Sequence, residues 1–300
     1  MSQSNKTTPR GNRFGFWFFK LFLRGGGLYA AYALLCPVSL HYWLFDRKAI
    51  NAAISYLKRR FPTDSPLKIR CKVYKLIYSQ GKQLIDRVAH TSGVIKFDFH
   101  FKGRDILDKI VSSEKGFILL TAHAGNWQLA MTELDMLKKK IFLVILEENN
   151  KAVKQAININ SDQQNTFGII SPEGHLGGIV PVVRELNNGN AISYMGDRPY
   201  GFESVNIDFM NDKARFPYGA FAIAAATKVP IVTVLASKTG FKTYKVDFTN
   251  IIKPEYKSRK NKKTQLSEWV QDYADILNNF FEEYPYQCFL FHDVWEQNKS

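Results

Sequence analysis

Between residues 94 and 248, short apolar runs alternate with segments whose apolar residues recur at helical spacing. The runs have the length of buried strands, and the clearest are residues 116–121, 141–146, 191–195 and 229–236. Strands that alternate with helices in this way form βαβ units, because two parallel strands need a long crossover connection. The sequence therefore predicts an α/β fold with a mostly parallel central sheet flanked by helices.

The N-terminal part of the chain is different in character. Residues 25–45 carry no formal charge, and a helix of that length spans roughly 31 Å, about the thickness of a bilayer's hydrocarbon core. Three consecutive glycines and Pro37 weaken a lipid-facing helix. Residues 14–24 are rich in aromatic and basic side chains, which suit the headgroup layer of an anionic membrane. We expect residues 1–48 to be a hydrophobic helical membrane-anchoring segment, monotopic or re-entrant. A buried amphipathic helix of a soluble protein and a cleaved signal peptide remain open alternatives.

Residues 49–300 are expected to form one domain, for which a hydrophobic content of 45% supplies a sufficient core. The formal net charge of +14 attracts polyanions, whether nucleic acid, anionic lipid or an acidic carrier protein. Basic residues are concentrated in residues 253–263, which form either a solvated loop or a landing site for such a carrier or membrane.

The three cysteines are far apart and outside any metal-binding motif. They indicate neither a disulfide framework nor a zinc site, and a reducing compartment fits best.

Helices are predicted at residues 126–138 and 150–157, and a short strand at residues 167–170. Helical periodicity is clearest in residues 46–60, 66–89 and 266–281. The second of these has Ser65 as a candidate N-cap and Pro66 at its first position. Its predicted buried stripe consists of Ile69, Val73, Leu76, Ile77, Leu84, Ile85 and Val88.

His123 lies where the predicted strand at 116–121 gives way to a helix that begins after Asn126. A neutral imidazole is the usual side chain that accepts a proton at neutral pH, so His123 is a candidate general base. The positive end of the helix dipole disfavours the imidazolium and helps to keep the ring neutral. Asn126 is a suitable N-cap, and Gly125 permits a tight turn.

The segment His123-Ala124-Gly125-Asn126-Trp127-Gln128 resembles the His-x4-acid motif of the glycerolipid acyltransferase superfamily, in the His-x-Gly-Asn-Trp-Glu form of bacterial lipid A late acyltransferases. The resemblance continues in order through Gly196-Asp197-Arg198-Pro199, residues 209–219, an alanine-rich helix and a C-terminal tail at 284–295. It covers roughly residues 14–297.

The resemblance implies a membrane-associated acyltransferase at the cytoplasmic face of a bacterial inner membrane. Such an enzyme moves a fatty acyl group from a thioester on acyl carrier protein or coenzyme A to a hydroxyl or amine of a lipid or glycolipid acceptor. His123 would be the base, and backbone N–H groups near Gly125 and Asn126 would stabilise the oxyanion. No metal or redox cofactor is implied. A nucleic-acid binder is not expected, because no nucleic-acid module is recognisable and the apolar N-terminus would be unexplained.

Gln128 departs from the family motif, in which a carboxylate orients the imidazole and stabilises its protonated form. Gln128 can still accept a hydrogen bond through its carbonyl oxygen and is expected to orient His123 as a catalytic residue, but it brings no charge. Three acidic residues, Glu147, Glu148 and Asp197, follow predicted strands and are candidates to supply it. A catalytically weak or silent family member that binds acyl chains or carrier protein is the alternative.

Arg198 follows a predicted buried strand and carries a bidentate donor suited to a phosphate group. We therefore expect Asn126, Asp197 and Arg198 to contact the substrate. A surface pairing of Asp197 with Arg198 is the simpler alternative for this segment.

Overall fold

The computed structural model describes residues 13–145, 167–172, 178–199, 203–258, 260–291 and 293–295. The helices in chain order are α1 (Arg13–Phe45), α2 (Arg47–Arg60), α3 (Pro66–Thr91), α4 (Arg104–Val111), α5 (Trp127–Thr132), α6 (Ile179–Asn187), α7 (Gly219–Thr227) and α8 (Lys262–Glu283). The strands are β1 (Asp98–Lys102), β2 (Phe117–Thr121), β3 (Ile141–Val144), β4 (Phe167–Ile170), β5 (Ala191–Met195), β6 (Ser204–Phe209), β7 (Asp212–Pro217), β8 (Ile231–Thr233), β9 (Leu235–Lys238), β10 (Thr243–Asp247) and β11 (Ile251–Ile252).

Three sheets are present among the described residues. The largest has the strand order β11-β8-β2-β5-β3-β4, in which the five strands from β8 to β4 are parallel and β11 is an antiparallel edge. A second sheet has the order β1-β10-β9 with one parallel and one antiparallel pairing, and β6 and β7 form a hairpin. The predicted α/β class is confirmed. The expectation of a mostly parallel sheet holds only in part, since the sheets taken together are mixed.

The strand β2 is fully buried and has a parallel neighbour on each side. Its last residue, Thr121, pairs with Met195, the last residue of β5. Because both strands run in the same direction, the residues that follow them emerge at the same edge of the sheet. This register places His123 and Asp197 beside each other.

The apolar run at residues 229–236 was predicted as one strand, but the structure divides it between β8 and β9, which belong to different sheets. Val234 lies at the break, and its N–H donates to the carbonyl of Leu120. Every residue of the run is buried apart from Pro230, so the pattern of apolar residues contained no sign of the change of sheet. The break brings β9 against the turn that follows β2.

The predicted helices differ from the structure mainly in length. The helix α3 has Ser65 as its N-cap, as expected, but Leu84 of the predicted buried stripe is 45% exposed while the polar residues Gln83 and Asp86 are buried. The helix after Asn126 was expected to reach residue 138, yet α5 ends at Thr132 and a 3₁₀ turn follows. The short helix α4 was not predicted, and the helix expected at residues 150–157 lies outside the described residues.

The helix α1 is bent at Gly27, which has a φ of 64° and a ψ of −157°. One of its faces packs on α3 and buries Leu28, Ala31 and Leu35. Between Leu21 and Phe45 the helix is long and apolar enough to cross a membrane, and 28% of its most apolar part is buried within the protein.

Candidate active site

The turn between β2 and α5 carries the candidate base. Its residues leave the strand at Thr121 and re-enter regular structure at Trp127. Asn126 caps α5, since its side-chain oxygen accepts a hydrogen bond from the N–H of Leu129 at 3.4 Å. Gly125 has a φ of +56°, and a Cβ at this position would lie 1.9 Å from the carbonyl oxygen of Ala236. Only glycine therefore fits the path that the chain takes here.

His123 and Asp197 form a closely bonded pair. The imidazole Nδ1 lies 2.9 Å from one carboxylate oxygen of Asp197 and 3.1 Å from the other. The backbone N–H of His123 also donates to this carboxylate, at 2.6 Å. The Asp197 side chain is 1% exposed, whereas the His123 ring is 22% exposed. One member of the pair is thus fixed in the interior while the other reaches toward solvent.

Burial opposes ionisation of Asp197, but the neighbouring His123 and Arg198 outweigh it and hold the pKa of the carboxyl below its usual value. The group is consequently a carboxylate at neutral pH. A carboxylate only accepts hydrogen bonds, so Nδ1 of His123 carries the proton and Nε2 is the basic nitrogen of the neutral ring. This is the tautomer that a general base requires.

The backbone donors of the turn are occupied within the protein. The N–H of Gly125 donates to the carbonyl of Gln287 and the N–H of Asn126 to the carbonyl of Ala236, both at 2.8 Å. These two N–H groups thus have acceptors within the protein, because strand β9 and the C-terminal tail, which had not been anticipated beside the turn, reach them. Stabilisation of an oxyanion by N–H groups near Gly125 and Asn126 stays a prediction. The same tail donates from the N–H of Phe289 to the carbonyl of His123 at 2.7 Å.

Of the remaining predicted site residues, the structure places Arg198 next to the His123–Asp197 pair but shows, among the described residues, no hydrogen bond to the Gln128 side chain. Arg198 lies beside Asp197, is half-buried and donates from Nη2 to the carbonyl of Phe289 at 2.9 Å. Gln128 is half-buried in the first turn of α5, and no described residue forms a hydrogen bond with its side chain. Glu147 and Glu148 lie outside the described residues. Phosphate binding by Arg198 stays a prediction.

Asn126 is buried, and its side-chain nitrogen donates to the carbonyl of Gln83 at 2.9 Å and to the hydroxyl of Tyr244 at 3.3 Å. These bonds give it a structural position in the turn, and a contact with substrate stays a prediction. The partners of Asn126 were not predicted from the sequence. Two polar residues, Gln83 and Asp86, interrupt the apolar stripe of α3, and this interruption could have indicated buried polar contacts on that face of the helix.

No group of three or more His, Cys, Asp or Glu side chains that could hold a metal ion occurs within the ranges that the structure describes.

An α/β fold in which a buried aspartate is bonded to a partly exposed histidine at the carboxyl end of parallel strands has the arrangement of a general acid–base enzyme. The family model described as bacterial lipid A biosynthesis acyltransferase matches residues 83–297. The chain belongs to this family and is an acyltransferase.

A structural comparison also finds the crystal structure of the 1-acyl-sn-glycerophosphate acyltransferase from Thermotoga maritima, which has 15% sequence identity and a TM-score of 0.37. The match covers 83% of this chain and 97% of that chain. No curated protein sequence matches this chain significantly.

Proposed function

We propose that this acyltransferase moves a fatty acyl group from an acyl thioester to a hydroxyl or amine of a lipid or glycolipid acceptor, with His123 as general base. The contact between His123 and Asp197 is the observation that carries the proposal, because it supplies the carboxylate that position 128 lacks. Asp197 orients the imidazole and stabilises the imidazolium that forms during the reaction.

The reaction follows from this geometry. Nε2 of His123 takes the proton from the acceptor, whose oxygen or nitrogen attacks the thioester carbonyl. The tetrahedral intermediate collapses as the carbon–sulfur bond breaks, and the proton on His123 passes to the departing thiolate. Arg198, beside Asp197, is the candidate to hold a phosphate of the donor or the acceptor.

Membrane attachment belongs to the same proposal. The face of α1 opposite α3 exposes apolar side chains, among them Leu40, Leu44 and Phe45. The net charge of +14 favours an anionic surface. These two features support attachment to an anionic membrane. The proposed location is the cytoplasmic face of the bacterial inner membrane, where an acidic acyl carrier protein or coenzyme A would deliver the thioester.

The alternative of a silent binding protein was motivated by Gln128 alone. With a carboxylate already bonded to His123, Gln128 no longer implies an incomplete pair. We therefore retain the enzymatic role.

The proposal is tested by acyl transfer with the His123→Ala variant, using acyl carrier protein and coenzyme A thioesters and a panel of membrane lipid acceptors. We expect turnover to fall by about 10³-fold or more, since the base is removed. His100→Ala is the matched control, because His100 is exposed on β1 and should leave turnover unchanged. Undiminished turnover in the His123→Ala variant would show that another group is the base.

A further inference from the structure

A buried carboxylate joins four elements on the side of the catalytic turn that faces α3. Asp86 of α3 has no exposed surface. One of its oxygens accepts a hydrogen bond from the hydroxyl of Tyr32 in α1. The other accepts from Nζ of Lys238 in β9 at 2.7 Å and from the hydroxyl of Tyr244 in β10 at 2.5 Å. We call these four residues the Asp86 junction.

In the Asp86 junction, the buried negative charge is compensated by one cation and two hydroxyl donors. An ionised carboxylate is tolerated in a protein interior only when it is paired and hydrogen-bonded. Lys238 supplies the opposite charge, and the two tyrosine hydroxyls supply further donors. If any one donor moves away, the buried charge is less well compensated, which costs free energy. The side chains around Asp86 are therefore held in place together.

The junction is connected directly to the turn that carries His123. The hydroxyl of Tyr244 donates to Asp86 and accepts from Nδ2 of Asn126. The same nitrogen of Asn126 donates to the carbonyl of Gln83, one turn before Asp86 on α3. Asn126 is the N-cap of α5 and follows His123 by three residues. A single tyrosine oxygen thus links the buried carboxylate to the catalytic turn.

A second connection runs through Gln287 of the C-terminal tail. Its side-chain oxygen accepts from Nε2 of Gln83 and from the N–H of Lys238, both at 2.9 Å. Its side-chain nitrogen donates to the carbonyl of Lys238, and its backbone carbonyl accepts from the N–H of Gly125. The turn is therefore held at two consecutive residues, Gly125 and Asn126, by groups that are bonded to the junction or adjacent to it.

We propose that Asp86 is a positioning residue for acyl transfer, which acts through Tyr244 and Asn126 on the turn that carries His123. Through Tyr32, the helix α1 becomes part of the same hydrogen-bonded unit. The inference rests on the proposed role of His123 as base. It gives α1 a function beyond membrane attachment, because the docked helix contributes a donor to the network that fixes the catalytic turn.

The sharpest test is the Tyr244→Phe substitution in the full-length, membrane-bound protein, since it removes only the oxygen shared by Asp86 and Asn126. We expect kcat to fall about tenfold while KM changes less than about twofold. Tyr32→Phe should also lower kcat, because it removes the hydroxyl with which α1 donates a hydrogen bond to Asp86.

Tyr78→Phe is the matched control. The Tyr78 hydroxyl donates to the carbonyl of Tyr32 at 3.2 Å, so this change also removes a hydrogen bond between α3 and α1 but leaves Asp86 and Asn126 untouched. We expect kcat to stay within about twofold of the unsubstituted protein. A general loosening of the α1–α3 contact would instead affect Tyr32→Phe and Tyr78→Phe equally.

The side-chain ¹⁵N resonances of His123 provide a readout that does not depend on turnover. Their assignment comes from the signals lost in His123→Ala, and we expect them to shift in Tyr244→Phe and Tyr32→Phe but not in Tyr78→Phe.

If His123→Ala keeps full turnover, the general-base role fails while these resonances still decide whether the junction positions the turn. The proposal is overturned if Tyr244→Phe and Tyr32→Phe match Tyr78→Phe in both kcat and resonances. If Tyr244→Phe does not fold, Tyr32→Phe alone decides.

Discussion

Asp197 lies against His123 although the two residues are distant in sequence. It lies 74 residues from His123 along the chain, yet its carboxylate makes three hydrogen-bonding contacts with that residue. Gln128 lies only five residues away, but its amide forms no hydrogen bond within the part of the chain that the structure describes. The expectation that an acidic residue compensates for Gln128 thus gains a specific geometric basis.

Asp197→Asn is expected to lower kcat by roughly 10²–10⁴-fold. An asparagine side chain has no charge to stabilise the imidazolium, and its NH₂ group competes with Nδ1 as a donor, which favours the wrong tautomer. The measurement is acyl transfer at saturating donor and acceptor. Thermal unfolding of the same preparation separates a loss of chemistry from a loss of folded protein.

Two substitutions serve as controls for this expectation. Gln128→Glu should leave kcat within about threefold, because Asp197 already occupies the Nδ1 side of the imidazole. Asp212→Asn removes an exposed carboxylate that pairs with Arg59 and should have no effect on turnover. A large rise in kcat with Gln128→Glu would mean that position 128 orients the base after all.

Among the elements, the turn that carries His123 depends on three neighbours that meet from different parts of the chain. The strand β9 accepts the N–H of Asn126, the C-terminal tail accepts the N–H of Gly125, and α3 accepts the side chain of Asn126. Each contact requires a close approach of backbone to backbone or backbone to side chain. The glycine at position 125 makes the closest of these approaches possible.

Gly125→Ala is expected to destabilise the protein by about 2 kcal/mol or more and to lower kcat. The added Cβ would clash with the carbonyl of Ala236, and φ is in the left-handed region. Relief of this clash must displace the turn that carries His123. Chemical unfolding and turnover measure the two effects.

The matched substitution is Gly219→Ala at the start of α7, where an added Cβ meets no atom within 4 Å. Stability should be unchanged or raised by about 0.5–1 kcal/mol, as expected for glycine to alanine in a helix. Equal stability of the two alanine variants would contradict the tight packing inferred at Gly125.

For the molecule as a whole, α1 has two faces with different surroundings. One face packs on α3 and enters the Asp86 junction through Tyr32, while the other is exposed and apolar. An exposed apolar face of this kind on a protein with a net charge of +14 is typical of a segment that lies against a membrane. Under the proposed membrane attachment, the helix would connect the membrane surface with the interior of the protein.

The double variant Leu40→Glu/Leu44→Glu should lower membrane association, because each buried carboxylate costs about 2 kcal/mol or more in the apolar part of a bilayer. Flotation with anionic vesicles measures the bound fraction. The control is Ile179→Glu/Val180→Glu, which changes two exposed apolar residues of α6. If both double variants float as the unsubstituted protein does, the exposed face of α1 does not carry the attachment.

Local patterns predicted much of the secondary structure. The helix α3 with its Ser65 cap, the strands β2, β4 and β5 and the helix α8 were all expected near their observed positions. These elements follow from periodicity and capping, which depend on neighbouring residues. The α/β class and the family, and with it the acyltransferase activity, were likewise expected from the sequence.

The sequence by itself determined most of the helices and strands, the position of His123 at the end of a strand and the glycine that its turn requires. Only the tertiary structure decided which carboxylate meets the imidazole, which carbonyls occupy the N–H groups of Gly125 and Asn126, and why Gln83 and Asp86 are buried on α3. The physical reason is that these contacts join residues far apart in the chain. They depend on strand order and register, which periodicity within any single segment does not contain.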